Sequence, residues 1–414
     1  MIDKEILGPI EIEGDYERTE KVDRFYNQPK IKPLKEKDYK PKLKTISIDL
    51  ESDKNTNKLF CIGLYGENYE KNFLISNEEI SGAISCKDEY DLLTKFKKEL
   101  IKIDPDIITG WHVIDFDLAY LKQKFLENRI QFDLGRTNRN CRIKLESNFF
   151  KKSTADMPGR QVLDGLNSIK DPYIRDAPSM KKRKFQSMSL ENVSQEILGE
   201  GKTIKGKERH DEITKLYEND KKKLVEYNIK DCKLAYDILE KTKILDIALE
   251  RASLTGMPLN KITASIASFD SLYIREAKKK KLVSPTTFYT KKTERIRGGY
   301  VMESKPGIYH NLLVLDFKSL YPSIIKTFNI DPASYLESKE KNSIESPNKA
   351  YFKNQEGILP EILEKLHQER ERAKSEKRDL SSYAIKIIMN SFFGVLASPN
   401  CRYYSLKNYS KFQI

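Results

Sequence analysis

The stretch Thr45-Ile46-Ser47-Ile48-Asp49-Leu50-Glu51 decides how the first half of the chain folds. Apolar and polar residues alternate, and a strand's period of two sends Ile46, Ile48 and Leu50 to one face and Asp49 with Glu51 to the other. A lone D-x-E pair carries little weight in a chain with 62 acidic residues. Two later segments add to it. Ile107-Ile108-Thr109-Gly110-Trp111-His112-Val113-Ile114-Asp115-Phe116-Asp117-Leu118-Ala119-Tyr120-Leu121 reads as a strand, a turn and a helix start, with Asp117 in the first turn of the helix. Tyr227-Asn228-Ile229-Lys230-Asp231 lies in a helical pattern from about Asp220 to Leu239, so Tyr227 and Asp231 share a face. Asp49, Glu51, Asp117 and Asp231, drawn from two strand positions and two helices, repel one another unless divalent cations lie among them. Two such ions roughly 3.5 to 4 Å apart activate a water and stabilise the leaving oxygen of a phosphodiester hydrolysis. Tyr227, one turn from Asp231, is placed to orient that water.

A second centre is expected in the C-terminal half. Leu312-Leu313-Val314-Leu315 is continuously apolar, as in a strand covered on both faces, and Asp316-Phe317-Lys318-Ser319-Leu320-Tyr321-Pro322-Ser323 follows it. A carboxylate closing a buried strand calls for a cation, so a metal is the natural partner of Asp316. The alternative is a plain strand end before a helix turn opened by Pro322. Near the end of the chain, Lys386, Asn390 and Phe393 fall at i, i+4 and i+7 of a helix that follows a start signal at Ser381 and Ser382. Ile358 to Glu376 also reads as a helix, with Arg370 and Lys374 four apart. An antiparallel hairpin of the two helices aims Arg370, Lys374 and Lys386 at one anion, and a triphosphate fits, because Arg grips phosphate bidentately and Lys acts as a point charge. Solvated basic helix faces are the other reading.

The segments around Asp316 and Lys386 resemble motifs A and B of the family B DNA polymerases, in wording closest to the bacterial DNA polymerase II subgroup, and the resemblance runs from about Asp15 to the end. It implies that Asp316 is one of two palm carboxylates for the catalytic metals. Tyr321 is then the ring beneath the sugar of the incoming deoxynucleoside triphosphate, selecting against a 2′-hydroxyl. Arg370, Lys386 and Asn390 surround the triphosphate and base. Phe393 stands where the motif usually has tyrosine, which keeps the ring and loses a hydroxyl. The first-half segments resemble, in order, the three exonuclease motifs of the same family. This implies a 3′→5′ proofreading site in which Asp49, Glu51, Asp117 and Asp231 hold two Mg²⁺ ions, with Mn²⁺ as a substitute. Asp115 becomes a neighbour rather than a ligand, and His112 replaces the family's usual asparagine. Arg297-Gly298-Gly299-Tyr300 resembles the Gly-Gly element that contacts template DNA between the two modules; an ordinary turn is its plain alternative.

Composition agrees with a polyanionic partner: 75 Lys+Arg against 62 Asp+Glu leaves a formal charge of +13. The runs Lys181 to Lys184, Lys221 to Lys223 and Lys278 to Lys281 are phosphate contacts or merely solvated faces. Five cysteines form no C-x-x-C pair, which suggests neither a disulfide framework nor a zinc knuckle and suits a reducing cytosol. No apolar run approaches a membrane span, and Met1 is followed by charge rather than a signal peptide. The expected location is therefore cytoplasmic, nucleoid-associated in a bacterium.

The expected architecture is α/β: an RNase H-like 3′→5′ exonuclease domain, then a partial palm and a helical-hairpin fingers domain. The expected divisions fall at 1–44 for an N-terminal remnant or arm, 45–243 for the nuclease, 244–296 for a helical connector, 297–356 for the partial palm, 357–399 for the fingers and 400–414 for the start of a truncated palm. The irregular stretch from Asn138 to Lys184 is expected to carry loops over the cleft, and Glu337 to Asn348 to form a polar loop. Family B also implies a second palm aspartate on a Y-G-D-T-D hairpin and a thumb. Neither occurs in these 414 residues. This chain alone is therefore expected not to polymerise. Three readings remain: part of a polymerase needing a C-terminal fragment, a stand-alone DNA 3′→5′ exonuclease, or a non-catalytic DNA-binding remnant. The partners of the first are a DNA primer-template, deoxynucleoside triphosphates, that fragment and, as a further candidate, a sliding clamp.

Overall fold

The computed structural model describes residues 2–34, 39, 41–55, 57–146, 153–180, 183–202, 209–261, 264–287, 302–317, 319–347 and 349–404. The first half is organised by a six-stranded sheet of β1 (Thr45–Ser52), β2 (Leu59–Gly66), β3 (Tyr69–Ile75), β4 (Ala83–Cys86), β5 (Ile107–Gly110) and β6 (Gln161–Asp164). Their spatial order is β6-β5-β1-β2-β3-β4. β2 runs antiparallel to both β1 and β3, whereas the pairs β1–β5, β5–β6 and β3–β4 are parallel.

The alternation in β1 does what the pattern dictates. Ile46, Ile48 and Leu50 enter one core with Leu92, Leu93 and Phe96 of α1 (Glu89–Ile103). Helix α1 starts at Asp88, whose side chain accepts from the Asp91 N–H, and its apolar residues recur on one face. After β5 the chain makes a single π-helical turn, Ile114–Leu118, before α2 (Ala119–Glu127). Asp117 therefore lies in this wider turn, ahead of the α-helix in which the spacing put it. The stretch 138–184 is less irregular than expected, because it supplies β6, whose residues pair with β5. Pro158-Gly159 before it and Gly165 after it are turn signals that bound the strand, but four residues are too short a run to betray a sheet edge by periodicity.

The other face of the sheet is covered by α4 (Lys221–Thr242), which follows α3 (Leu190–Leu198) and is capped by Asp220. Leu224, Val225 and Tyr227 pack there on Phe60, Cys61 and Leu74. Next come α5 (Ile244–Thr255), α6 (Ser265–Lys279), α7 (Leu320–Thr327), α8 (Ile358–Ser375) and α9 (Asp379–Leu396). Helices α8 and α9 form the antiparallel hairpin and share a core with α6 through Phe269, Leu363, Ile388 and Phe392. Helix α9 begins at Asp379, before the serines read as its start, and Ser381 is buried inside it. A two-residue strand, Ile344–Glu345, interrupts the expected polar loop and joins Tyr351–Phe352 and Tyr335–Leu336 in a small sheet.

One expectation fails outright. Leu312 to Leu315 form no strand, and Leu312, Leu313, Val314, Leu315 and Phe317 are 73 to 83 % exposed. An apolar run is a strand only when neighbouring strands satisfy its backbone groups and cover its faces. Among the described residues none pairs with it.

Candidate nuclease and nucleotide sites

Strand β1 presents Asp49 and Glu51 towards α4, and one turn of α4 separates Tyr227 from Asp231. The ligand oxygens of Asp49, Glu51 and Asp231 all lie within 4.8 Å of one another. Asp117 is locked beside them, its Oδ1 accepting the Leu50 backbone N–H at 3.1 Å. Burial, with the charge of Asp49 next, pushes the Asp117 carboxyl well above the usual carboxylate range. Burial likewise drives the thiols of Cys61 and Cys232 well up, so these buried neighbours stay protonated. An oxygen-rich, largely buried donor set with this mutual repulsion suits hard divalent cations, and Asp49, Glu51 and Asp231 are the residues whose oxygens converge closely enough to hold one, with Asp117 next to them.

One participant was not legible in the sequence. Lys202, in the loop after α3, places its ammonium in an ion pair with Asp231 and 3.4 Å from the Tyr227 hydroxyl. The two side chains are 10 % and 0 % exposed. The backbone N–H of Lys202 donates to the Glu191 carboxylate, tying the loop to α3. The glycines at 199 and 201 were the one local hint of a shaped loop. Asp49 also accepts from Asn228 Nδ2 at 2.8 Å, an amide one residue beyond Tyr227. His112 sits in the left-handed region at φ +65°, with Nδ1 3.8 Å from Asp115, whose other oxygen accepts from Ser153.

In the second half, Tyr321 and Phe393 stack with centroids 4.7 Å apart and planes at 17°. Lys386 and Asn390 are exposed on the same side of α9, and the buried Nε of Arg370 on α8 has no hydrogen-bond acceptor among the described residues. Lys374 is exposed and pairs with Glu371 at 2.7 Å, a contact available within one helical turn. Asp316 is exposed rather than buried, because the strand meant to carry it is unpaired. Arg297, Gly298, Gly299 and Tyr300 lie outside the described residues.

Residues 24–193 match the exonuclease domain of DNA polymerase family B, and residues 263–410 match DNA polymerase family B itself. The two segments lie in the order of that family and together span most of the chain. The chain belongs to DNA polymerase family B. It is 36 % identical to DNA polymerase II of Escherichia coli (strain K12), over 98 % of this chain and 51 % of that protein. To the DNA polymerase delta catalytic subunit of Dictyostelium discoideum it is 31 % identical, over 75 % of this chain and 30 % of the relative. The family B polymerase of Pyrobaculum calidifontis shares the fold, with a TM-score of 0.72 and 19 % identity over 99 % of this chain and 54 % of that one. The chain thus spans about half the length, or less, of these relatives. No helix of the described residues is long and apolar enough to cross a membrane.

Proposed function

We propose that this family B chain is a DNA 3′→5′ exonuclease that also carries the fingers and one carboxylate of a DNA polymerase site. The observation carrying the nuclease reading is the convergence of Asp49, Glu51 and Asp231 within 4.8 Å, with buried Asp117 alongside. These four carboxylates would hold two Mg²⁺ or Mn²⁺ ions, which when bound lower the pKa of a water and stabilise the leaving 3′-oxygen. The protein's own groups do the rest. The Tyr227 hydroxyl orients the attacking water, and the Lys202 ammonium beside it supplies positive charge where a phosphate enters. The nuclease unit is residues 45–243.

Polymerisation is the second half of the proposal. Asp316 is one metal-binding carboxylate of the palm, and Tyr321, backed by Phe393, meets the sugar of a deoxynucleoside triphosphate whose phosphates face Arg370, Lys386 and Asn390. The exposed run 312–317 takes its place in a palm sheet completed by strands bearing the Y-G-D-T-D hairpin, followed by a thumb. A DNA primer-template serves both sites, and a sliding clamp is a further candidate partner of the completed enzyme.

Purified chain with Mg²⁺ or Mn²⁺ should shorten a labelled DNA 3′-end, and Asp49→Ala should abolish this. Shortening that survives the substitution refutes the site. Synthesis should appear when a polypeptide supplying the hairpin and thumb is added, and none under that pairing removes the polymerase half of the proposal.

A further inference from the structure

Beneath Asp49 lie two buried amides that the nuclease chemistry leaves unexplained. Asn228 on α4 donates from Nδ2 to Asp49 Oδ2 at 2.8 Å, and Asn72 on β3 donates from Nδ2 to Asn228 Oδ1 at 2.7 Å. Both amides are 0 % exposed. Their polarity follows from chemistry. A carboxylate only accepts, so Asn228 must turn its NH₂ to Asp49, which leaves its carbonyl facing Asn72 and requires an NH₂ there in turn. Reversing either amide sets oxygen against oxygen or N–H against N–H.

Space for this relay comes from β2. Gly63 is the register partner of Asp49. A Cβ at Gly63 would fall inside contact distance of Asn228 Oδ1 and 2.8 Å from Cys232 Sγ. Any side chain there displaces the amide. Glycine, amide and amide therefore come from three different elements and build one relay that ends on a single oxygen of Asp49.

We infer that Gly63, Asn72 and Asn228 are a positioning set for Asp49: the relay fixes the orientation in which its carboxylate faces Glu51 and Asp231, where a divalent ion would be held. The inference rests on the nuclease reading given above. Groups that hydrogen-bond a ligating carboxylate orient it and tune its affinity, and losing one costs about 10- to 100-fold in metal affinity or activity. Because Asn228 shares α4 with Tyr227 and Asp231, the same bond also registers that helix against β1.

The test is Mn²⁺ titration of the full chain by calorimetry, together with the rate of 3′-end shortening as a function of Mn²⁺ concentration. Asn228→Leu keeps the approximate volume and removes both bonds. Asn72→Asp keeps the shape and replaces the donor with an acceptor. Each variant is expected to bind Mn²⁺ about 10- to 100-fold more weakly and to recover most of its rate at saturating Mn²⁺, a split that simple loss of packing would not produce. Wild-type Mn²⁺ affinity in either folded variant overturns the inference, and if Asn228→Leu does not fold, Asn72→Asp decides alone. A wild-type chain that neither binds Mn²⁺ nor depends on Asp49 for end-shortening would instead overturn the nuclease reading, and the relay with it.

Discussion

Replacing Lys202 by methionine tests whether its ammonium acts as a resident cation in the nuclease site. Lys202 and Asp231 form an ion pair whose side chains are 10 % and 0 % exposed, so the small value of a surface pair does not apply. Removing one member of a buried pair costs about 3 to 5 kcal/mol, and Asp231 keeps other interactions when Lys202 is gone, which holds the cost to the bottom of that range. The carboxylates give the same scale. With ligand oxygens within 4.8 Å, each like pair repels by about 3 kcal/mol at the effective dielectric of a protein. The lower end applies here, since the stem of Lys202 keeps some access to water. A loss of about 3 kcal/mol in a unit of this size lowers the melting temperature by roughly 6 to 12 °C. The assay is thermal melting of wild-type chain and Lys202→Met, each in EDTA and in Mn²⁺. In EDTA the variant should melt at the lower temperature by that amount. In Mn²⁺ most of the gap should close, because divalent ions bound to the native state take over the neutralisation. A variant that melts like wild type in EDTA, or whose deficit persists undiminished in Mn²⁺, refutes the argument.

Three further expectations follow from other parts of the molecule. Burial would raise the Asp133 carboxyl, but the ammonium groups of Lys21 and Lys97 outweigh it and hold its pKa below the usual range. Its contribution of about 1.5 to 3 kcal/mol is present above the unfolded value of about 3.9 and fades as pH falls through the lower folded value, so Asp133→Asn should destabilise the chain at pH 7, and the deficit should shrink as acid unfolding is followed to lower pH. Tyr383→Phe deletes the hydroxyl that donates to the Tyr173 carbonyl at 2.7 Å, joining α9 to the nuclease; melting should fall by the equivalent of about 1 kcal/mol with 3′-end shortening unchanged. In a completed polymerase, Tyr321→Ala should admit ribonucleotides, measured by alkali-sensitive product, and unchanged sugar selection would remove its proposed role.

What the amino-acid order determined on its own was local and periodic. The alternation of Thr45 to Ser52 places Asp49 and Glu51 on one face whatever surrounds them, and the four-residue spacing of Tyr227 and Asp231 does the same on α4, because strand and helix geometry are set by the backbone. Lys386 and Asn390 come to share an exposed face of α9 for that reason too. Tertiary structure decided the rest. Lys202 reaches Asp231 from a loop, and Asn72 meets Asn228 across 156 positions of chain, contacts that no spacing encodes. The apolar run 312–315 carries the pattern of a buried strand and stands in solvent, since burial belongs to the sheet that receives a strand and not to the strand itself. Periodicity says which way a side chain points; only the packed neighbours say what it meets there.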